Sequence, residues 1–272
     1  MVNKNSGMAN VFLVLVMLIG IFLVGFLIFG KSFSDPFAPR FSAKPTPDQV
    51  LQTLREGNER FAAGKSAYQT CDPARIGLAA KSDQGFYAYA TVLSCSDSRV
   101  PVELIFDAGI MDLFVVRVAG NVADTDEIGS IEYGLAHVKT PVLVVLGHTR
   151  CGAVTAVSQA MAGHGHQLER NIPPLVDNIV PAVKRAMEQN QELHGDAIIP
   201  FAIEENVWQA VEDLFMRSPA VRDLAKSGTV LITGAIYDLA SGKVNWLPQT
   251  KVGDILKRVE ASPDKETEAF AH

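Results

Sequence analysis

The sequence predicts an α/β domain, a mostly parallel β-sheet flanked by helices, with an N-terminal apolar helix outside the domain. Three observations carry that expectation. Short, continuous, β-branched apolar runs recur along the chain, as in strands buried on both faces. Longer helical stretches separate them, which makes neighbouring strands parallel and puts helices on the faces of the sheet. One apolar run, residues 11–30, stands apart as twenty positions without a charge. The remainder of a 272-residue chain that is 48% hydrophobic is long enough for one well-buried core.

Residues 11–30 have the length a helix needs to cross a bilayer core. Lys4 precedes the run and Lys31 follows it. A cleavable signal is the competing reading, with Ser32-Phe33-Ser34 as a small-x-small site, but the apolar core of such a signal runs only about 7 to 15 residues. A retained anchor is therefore favoured over a cleaved signal, and export is expected from either. Lys31, Arg40 and Lys44 beyond the run slightly oppose a simple positive-inside assignment. The soluble domain is nonetheless expected on the periplasmic or extracytoplasmic side, because a short tail with one basic residue before a long apolar stretch resembles a signal-anchor. The expected division is an anchor or signal over 1–32, a Pro-, Ser- and Ala-rich linker over 33–45, a domain over 46–258 and a polar tail over 259–272.

The domain opens with Thr46 as N-cap, Pro47 at the first helical position and Gln49 at the capping-box position. Val50, Leu54 and Phe61 then mark an amphipathic helix ending near Gly64, which packs on the domain body or on a partner subunit. Strands are expected over 87–93, 113–118, 142–146 and 229–237. Helices are expected over 128–138, 153–161, 174–189 and 204–216.

Two clusters follow strand ends, Cys95-Ser96-Asp97-Ser98-Arg99 and His148-Thr149-Arg150-Cys151. Open α/β sheets place ligand sites at the carboxyl ends of their strands, so the clusters can converge despite their separation. Two thiolates and one imidazole suit zinc and leave a fourth position for water or a side chain. A zinc-bound water has its pKa lowered to about 7 and yields hydroxide at neutral pH. Asp97, steered by a bidentate Arg99, would accept the proton of that hydroxide and aim its lone pair at substrate. Swung onto zinc, the same carboxylate would block turnover.

These residues lie in five spaced blocks: Cys95-Ser-Asp97-Ser-Arg99-Val-Pro, Arg117-Val-Ala-Gly-Asn121, Gly129-Ser-Ile-Glu132-Tyr, Gly147-His148-Thr-Arg-Cys151-Gly152-Ala and Gly234-Ala-Ile-Tyr237-Asp238-Leu. In that order, and over about residues 46–256, the sequence resembles the β-class carbonic anhydrases. The resemblance implies zinc held by Cys95, His148 and Cys151, an Asp97–Arg99 pair orienting zinc-bound hydroxide, and reversible hydration of carbon dioxide to bicarbonate and a proton. It also implies a homodimer or higher oligomer, an apolar cleft built partly by the neighbouring subunit, and an opening helix that reaches across to it. One departure is Asp107-Ala108-Gly109, where many relatives read Asp-Gln-Gly, which takes away a side-chain amide near bicarbonate.

Other readings weigh less. Residues 1–44 hold four of the 24 basic residues and one of the 30 acidic ones, leaving 20 against 29, a formal charge of −9. With no basic stripe, that charge argues against nucleic acid. A disulfide between Cys95 and Cys151 is possible in an exported chain, but the neighbouring His148 and Asp97 favour metal. Cys71 has no ligand spacing and reads as an incidental thiol. Three residues between Cys95 and Arg99 are too few for a cysteine-phosphatase loop, whose backbone N–H groups surround a phosphate. His164 and His166, in Gly163-His-Gly-His, read as a polar loop rather than a second metal site, and His137 as a surface or packing residue. A carbonyl sulfide or carbon disulfide hydrolase and a non-catalytic zinc module remain the alternatives.

Overall fold

The computed structural model describes residues 40–67, 72–165 and 167–267. The apolar run 11–30, Cys71 and His166 lie outside them. Among the described residues no helix is long and apolar enough to cross a membrane.

Strands β1 (Ala90–Cys95), β2 (Leu113–Val118), β3 (Val142–His148), β4 (Leu231–Tyr237) and β5 (Val244–Trp246) form one sheet in the order β2-β1-β3-β4-β5. The first four are parallel and β5 is antiparallel to β4. Every residue of β1 and β3 is buried, as continuous apolar runs require of central strands. Side chains alternate between faces. Val92, Val144 and Leu146 pack on one face with Leu54, Ile105 and Phe106. Leu93 and Val145 pack on the other with Val207, Val211 and Leu214.

From β1 the chain steps to β2 on one side, then crosses back to place β3 on the other. This reversal opens a crevice at the carboxyl ends of β1 and β3. Cys95 and His148 are the last residues of those strands, one step inside the loops where the sequence put them.

Helix α1 (Pro47–Ala62) carries the expected capping box: Gln49 N–H donates to Thr46 Oγ1 at 3.3 Å, and Thr46 N–H to Gln49 Oε1 at 2.9 Å. Within the chain it packs on the domain body. Asn58 Nδ2 donates to Ile105 O and Gly242 O, and Asn58 Oδ1 accepts from Val244 N–H at 2.8 Å. The remaining helices are α2 (Pro73–Ala79), α3 (Val102–Ile105), α4 (Thr125–Glu132), α5 (Gly152–Gln159), α6 (Ile172–Asp177), α7 (Val180–Gln189), α8 (Ile199–Arg217), α9 (Pro219–Lys226) and α10 (Gln249–Ala261). Helices α4 and α5 each run on into a π-helical turn, Tyr133–His137 and Ala160–His164.

Several expected boundaries shift for identifiable reasons. The helix expected over 174–189 breaks into α6 and α7, because the Pro181 ring conflicts with the carbonyl four residues back, at Asp177, where α6 ends. The strand expected from residue 87 starts at Ala90, since Asp83 Oδ1 accepts from Gly85 N–H at 2.7 Å and closes a 3₁₀ turn over Gln84–Phe86. Helix α8 begins five residues before the expected start at 204, with Pro200 in its first turn. Positions 259–261, assigned to a polar tail, are the end of α10, and Val259 is in the core.

Candidate metal centre

Cys95, His148 and Cys151 meet at the crevice: one ligand atom from each lies within 4.8 Å of the other two, and all three residues are buried. Both cysteines are free thiols. His148 Nδ1 lies 3.0 Å from Thr149 O. A carbonyl can only accept, so Nδ1 carries the hydrogen and Nε2 presents a bare lone pair. That Nε2 is buried and has no hydrogen-bond partner, a costly state for a polar atom that a cation would relieve. The donor set and the orphaned nitrogen together fit a soft or borderline metal ion.

The sulfurs are prepared electrostatically. Cys95 Sγ accepts from Gly120 N–H at 3.3 Å and Asp97 N–H at 3.4 Å. A hydrogen bond from Cys151, with those backbone donors, pulls the Cys95 thiol down. The Cys151 thiol is pushed up, by its hydrogen bond to Cys95 and by burial.

Gly120 is required at its position. Its φ is +77°, and a Cβ there would stand 2.7 Å from Ile179 Cδ1. From across the core, Asn206 Nδ2 donates to Gly120 O at 2.7 Å, which holds the residue whose N–H reaches Cys95.

Asp97 borders the ligand cluster, with Oδ2 3.9 Å from His148 Nε2. Arg99 grips both carboxylate oxygens, Nε to Oδ1 at 2.9 Å and a terminal nitrogen to Oδ2 at 2.6 Å, and adds its backbone N–H to Oδ1. These bonds hold the Asp97 carboxyl well below the usual carboxylate range. Arg99 also donates to Arg150 O, tying the two metal-binding loops together. Arg150 itself has φ +57°, a left-handed turn that brings Cys151 back toward His148.

Every site residue the sequence proposed is therefore brought to one place. Sequence reasoning missed the supports. Arg117, quoted only as part of a motif, donates to Cys95 O at 3.0 Å and Asp97 O at 2.7 Å. Thr149 Oγ1 donates to Asp238 Oδ1 and accepts from Leu239 N–H, pinning the second loop to the end of β4. Asn206 had no local signal at all. Asp107, in the departing Asp-Ala-Gly segment, is fully buried and paired with Arg60 at 2.6 Å, so it braces α1.

Beside the centre, Ala119 and Gly152 open onto a cavity of about 670 Å³ whose other walls include Ala153, Ala156, Val157 and Leu175. Its lining is almost wholly apolar.

An α/β sheet with a Cys2His donor set at its switch point has the scaffold and the ligand set of a mononuclear metal site. The carbonic anhydrase family profile matches residues 90–244. The chain is 34% identical over 213 residues to a carbonic anhydrase of Mycolicibacterium smegmatis, covering 77% of this chain and 96% of that protein. It is 36% identical over 199 residues to carbonic anhydrase 2 of Mycobacterium tuberculosis, covering 72% and 91%. The solved structure of the β-carbonic anhydrase CcaA superposes with a TM-score of 0.56 at 26% identity, covering 72% of this chain and 86% of that one. The chain belongs to the carbonic anhydrase family, in its β class.

Proposed function

We propose that this chain hydrates carbon dioxide reversibly to bicarbonate and a proton, with zinc held by Cys95, His148 and Cys151. Bound zinc supplies Lewis-acid activation that makes water nucleophilic at neutral pH. The chain's own residues do the rest. Asp97 Oδ2, fixed by the Arg99 fork, accepts a hydrogen bond from the reacting water and orients its lone pair. Arg117 and Arg99 keep the loop that carries Asp97 from moving. The apolar cavity reached past Ala119 and Gly152 suits a small apolar substrate.

The observation that carries this reading is the Asp97–Arg99 pair beside the ligands, since a zinc site serving only stability has no need of an oriented carboxylate. An Asp97→Ala variant tests it, with zinc content and stopped-flow hydration measured on one sample. Zinc at wild-type level with hydration down about 10²- to 10⁴-fold is expected. Wild-type hydration in that variant would remove Asp97 from the mechanism.

Two further readings belong to the whole chain. A second copy docks at the open β2 edge, where half-exposed Tyr133 packs on Phe114; a monomer in analytical ultracentrifugation would exclude it. Residues 11–30 anchor the domain at a membrane, on the exported side, as their length and lack of charge support. Release of the full chain into the soluble fraction by an alkaline wash would rule out the anchor.

A further inference from the structure

The orientation of His148 hangs on a carbonyl that belongs to the next residue. His148 ends β3 fully buried, and its Nδ1–H donates to Thr149 O at 3.0 Å. The bond made by one ring nitrogen decides which nitrogen is left bare and where it points. The peptide that carries this oxygen joins Thr149 to Arg150. It lies past the last β3–β4 pair, His148 opposite Tyr237, and Arg150 turns left-handed there with φ +57°. The sheet ladder therefore reaches Thr149 on its amino side only, through Thr149 N–H on Tyr237 O at 2.9 Å.

The Thr149 hydroxyl supplies the remaining hold. It donates to Asp238 Oδ1 at 3.2 Å and accepts from Leu239 N–H at 3.0 Å. Asp238 is a fixed acceptor because it opens the turn between β4 and β5. Its Oδ1 also takes Ala240 N–H at 3.2 Å, and its Oδ2 takes Ser241 N–H at 3.2 Å and the Ser241 hydroxyl at 2.6 Å. Its backbone closes the same turn, N–H to Lys243 O at 2.8 Å and O from Gly242 N–H at 2.9 Å. None of these bonds needs Thr149, so the carboxylate is held in place independently of the hydroxyl that meets it.

We propose that Thr149, anchored on Asp238, is a positioning residue for the metal centre: its hydroxyl fixes the carbonyl that takes the His148 Nδ1 hydrogen, and so aims Nε2 at the two sulfurs. The inference rests on the reading of Cys95, His148 and Cys151 as zinc ligands. It assigns the turn after β4, which supplies no ligand, a part in setting the ligand geometry. Partners at this remove from a metal typically carry 10- to 100-fold in its affinity.

The test uses the full-length chain, loaded with zinc and labelled with nitrogen-15 at histidine. Thr149→Val keeps the shape of the side chain and removes the hydroxyl, whereas Thr149→Ser keeps the hydroxyl. In the unaltered chain and in Thr149→Ser, the His148 ring N–H should exchange slowly with solvent, and zinc should pass slowly to a chelator. In Thr149→Val both rates should rise by at least about 10-fold. Asp238→Ala should do the same, and the double variant should be little worse than either single one, because the two residues act through one bond. Urea unfolding of each variant separates stability from positioning. A lowered midpoint in Thr149→Val with ring exchange and zinc release unmoved would make the hydroxyl a loop tie only and overturn the proposal. Thr149→Ser behaving like Thr149→Val, or effects of Thr149→Val and Asp238→Ala that simply multiply, would also overturn it. An unaltered chain that binds no zinc would overturn the zinc reading itself and this inference with it.

Discussion

Replacing Asn206 with alanine should loosen the metal centre from a distance. Asn206 is 2% exposed on α8, and its single amide donates to Gly120 O at 2.7 Å. Gly120 N–H in turn donates to Cys95 Sγ at 3.3 Å. Asn206→Ala leaves a buried carbonyl without its donor, which costs about 1–3 kcal/mol. A loss of about 2 kcal/mol is roughly a 30-fold drop in the folding constant. Urea unfolding followed by the fluorescence of Trp208 and Trp246 reads that loss. The positional part of the effect needs a second readout, the rate at which a chelator strips metal from the folded protein. A control in α10, Val259→Ala, removes buried volume far from the centre. Asn206→Ala should lose metal faster than wild type, whereas Val259→Ala should not. Equal metal release in the two variants would show that Asn206 contributes stability alone. An unchanged unfolding midpoint would show that the Gly120 carbonyl finds another donor.

Burial pushes the Asp213 carboxyl up to about 6, against 3.8 for a free one. A raised carboxyl is a cost that appears as pH climbs through 3.8 and is complete above about 6. Roughly 3 kcal/mol follows from the full shift, and about 1–2 after allowing for the residue's remaining solvent access. Asp213→Asn should therefore stabilise the protein by that amount at pH 7.5 and have no effect near pH 4; a gain independent of pH would contradict this account. In α1, a Cβ at Gly57 would sit 2.0 Å from Phe106 O, a backbone atom that cannot step aside. Gly57→Ala should displace the helix and lower stability by about 1–3 kcal/mol or more, and a wild-type urea midpoint would count against that packing.

How far the site was legible in the sequence depends on the range of each interaction. Cys95, Asp97 and Arg99 sit within five residues of one another, and the Asp97–Arg99 fork closes across only two positions. His148 and Cys151 are equally local, and strand patterning placed both groups at the same end of the sheet. The two parallel pairings of β1 then determined that they meet. Short-range chemistry on a regular scaffold was thus enough to find the ligands. The π-turns after α4 and α5 lie beyond such reasoning, because an extra residue in a turn depends on packing rather than on hydrophobic period. Strand β5 is three residues long and pairs antiparallel, too short for an alternation to register.

The supports of the ligands were hidden for a different reason. Arg117 reaches Cys95 O and Asp97 O only because β2 lies beside β1 in register, Ser94 opposite Arg117. Asn206 reaches Gly120 across 86 positions of chain, from a helix whose pattern marks that residue as merely buried. Polar atoms that satisfy backbone groups of another element follow no period and carry no motif. They are also the residues whose loss disturbs the centre without touching a ligand.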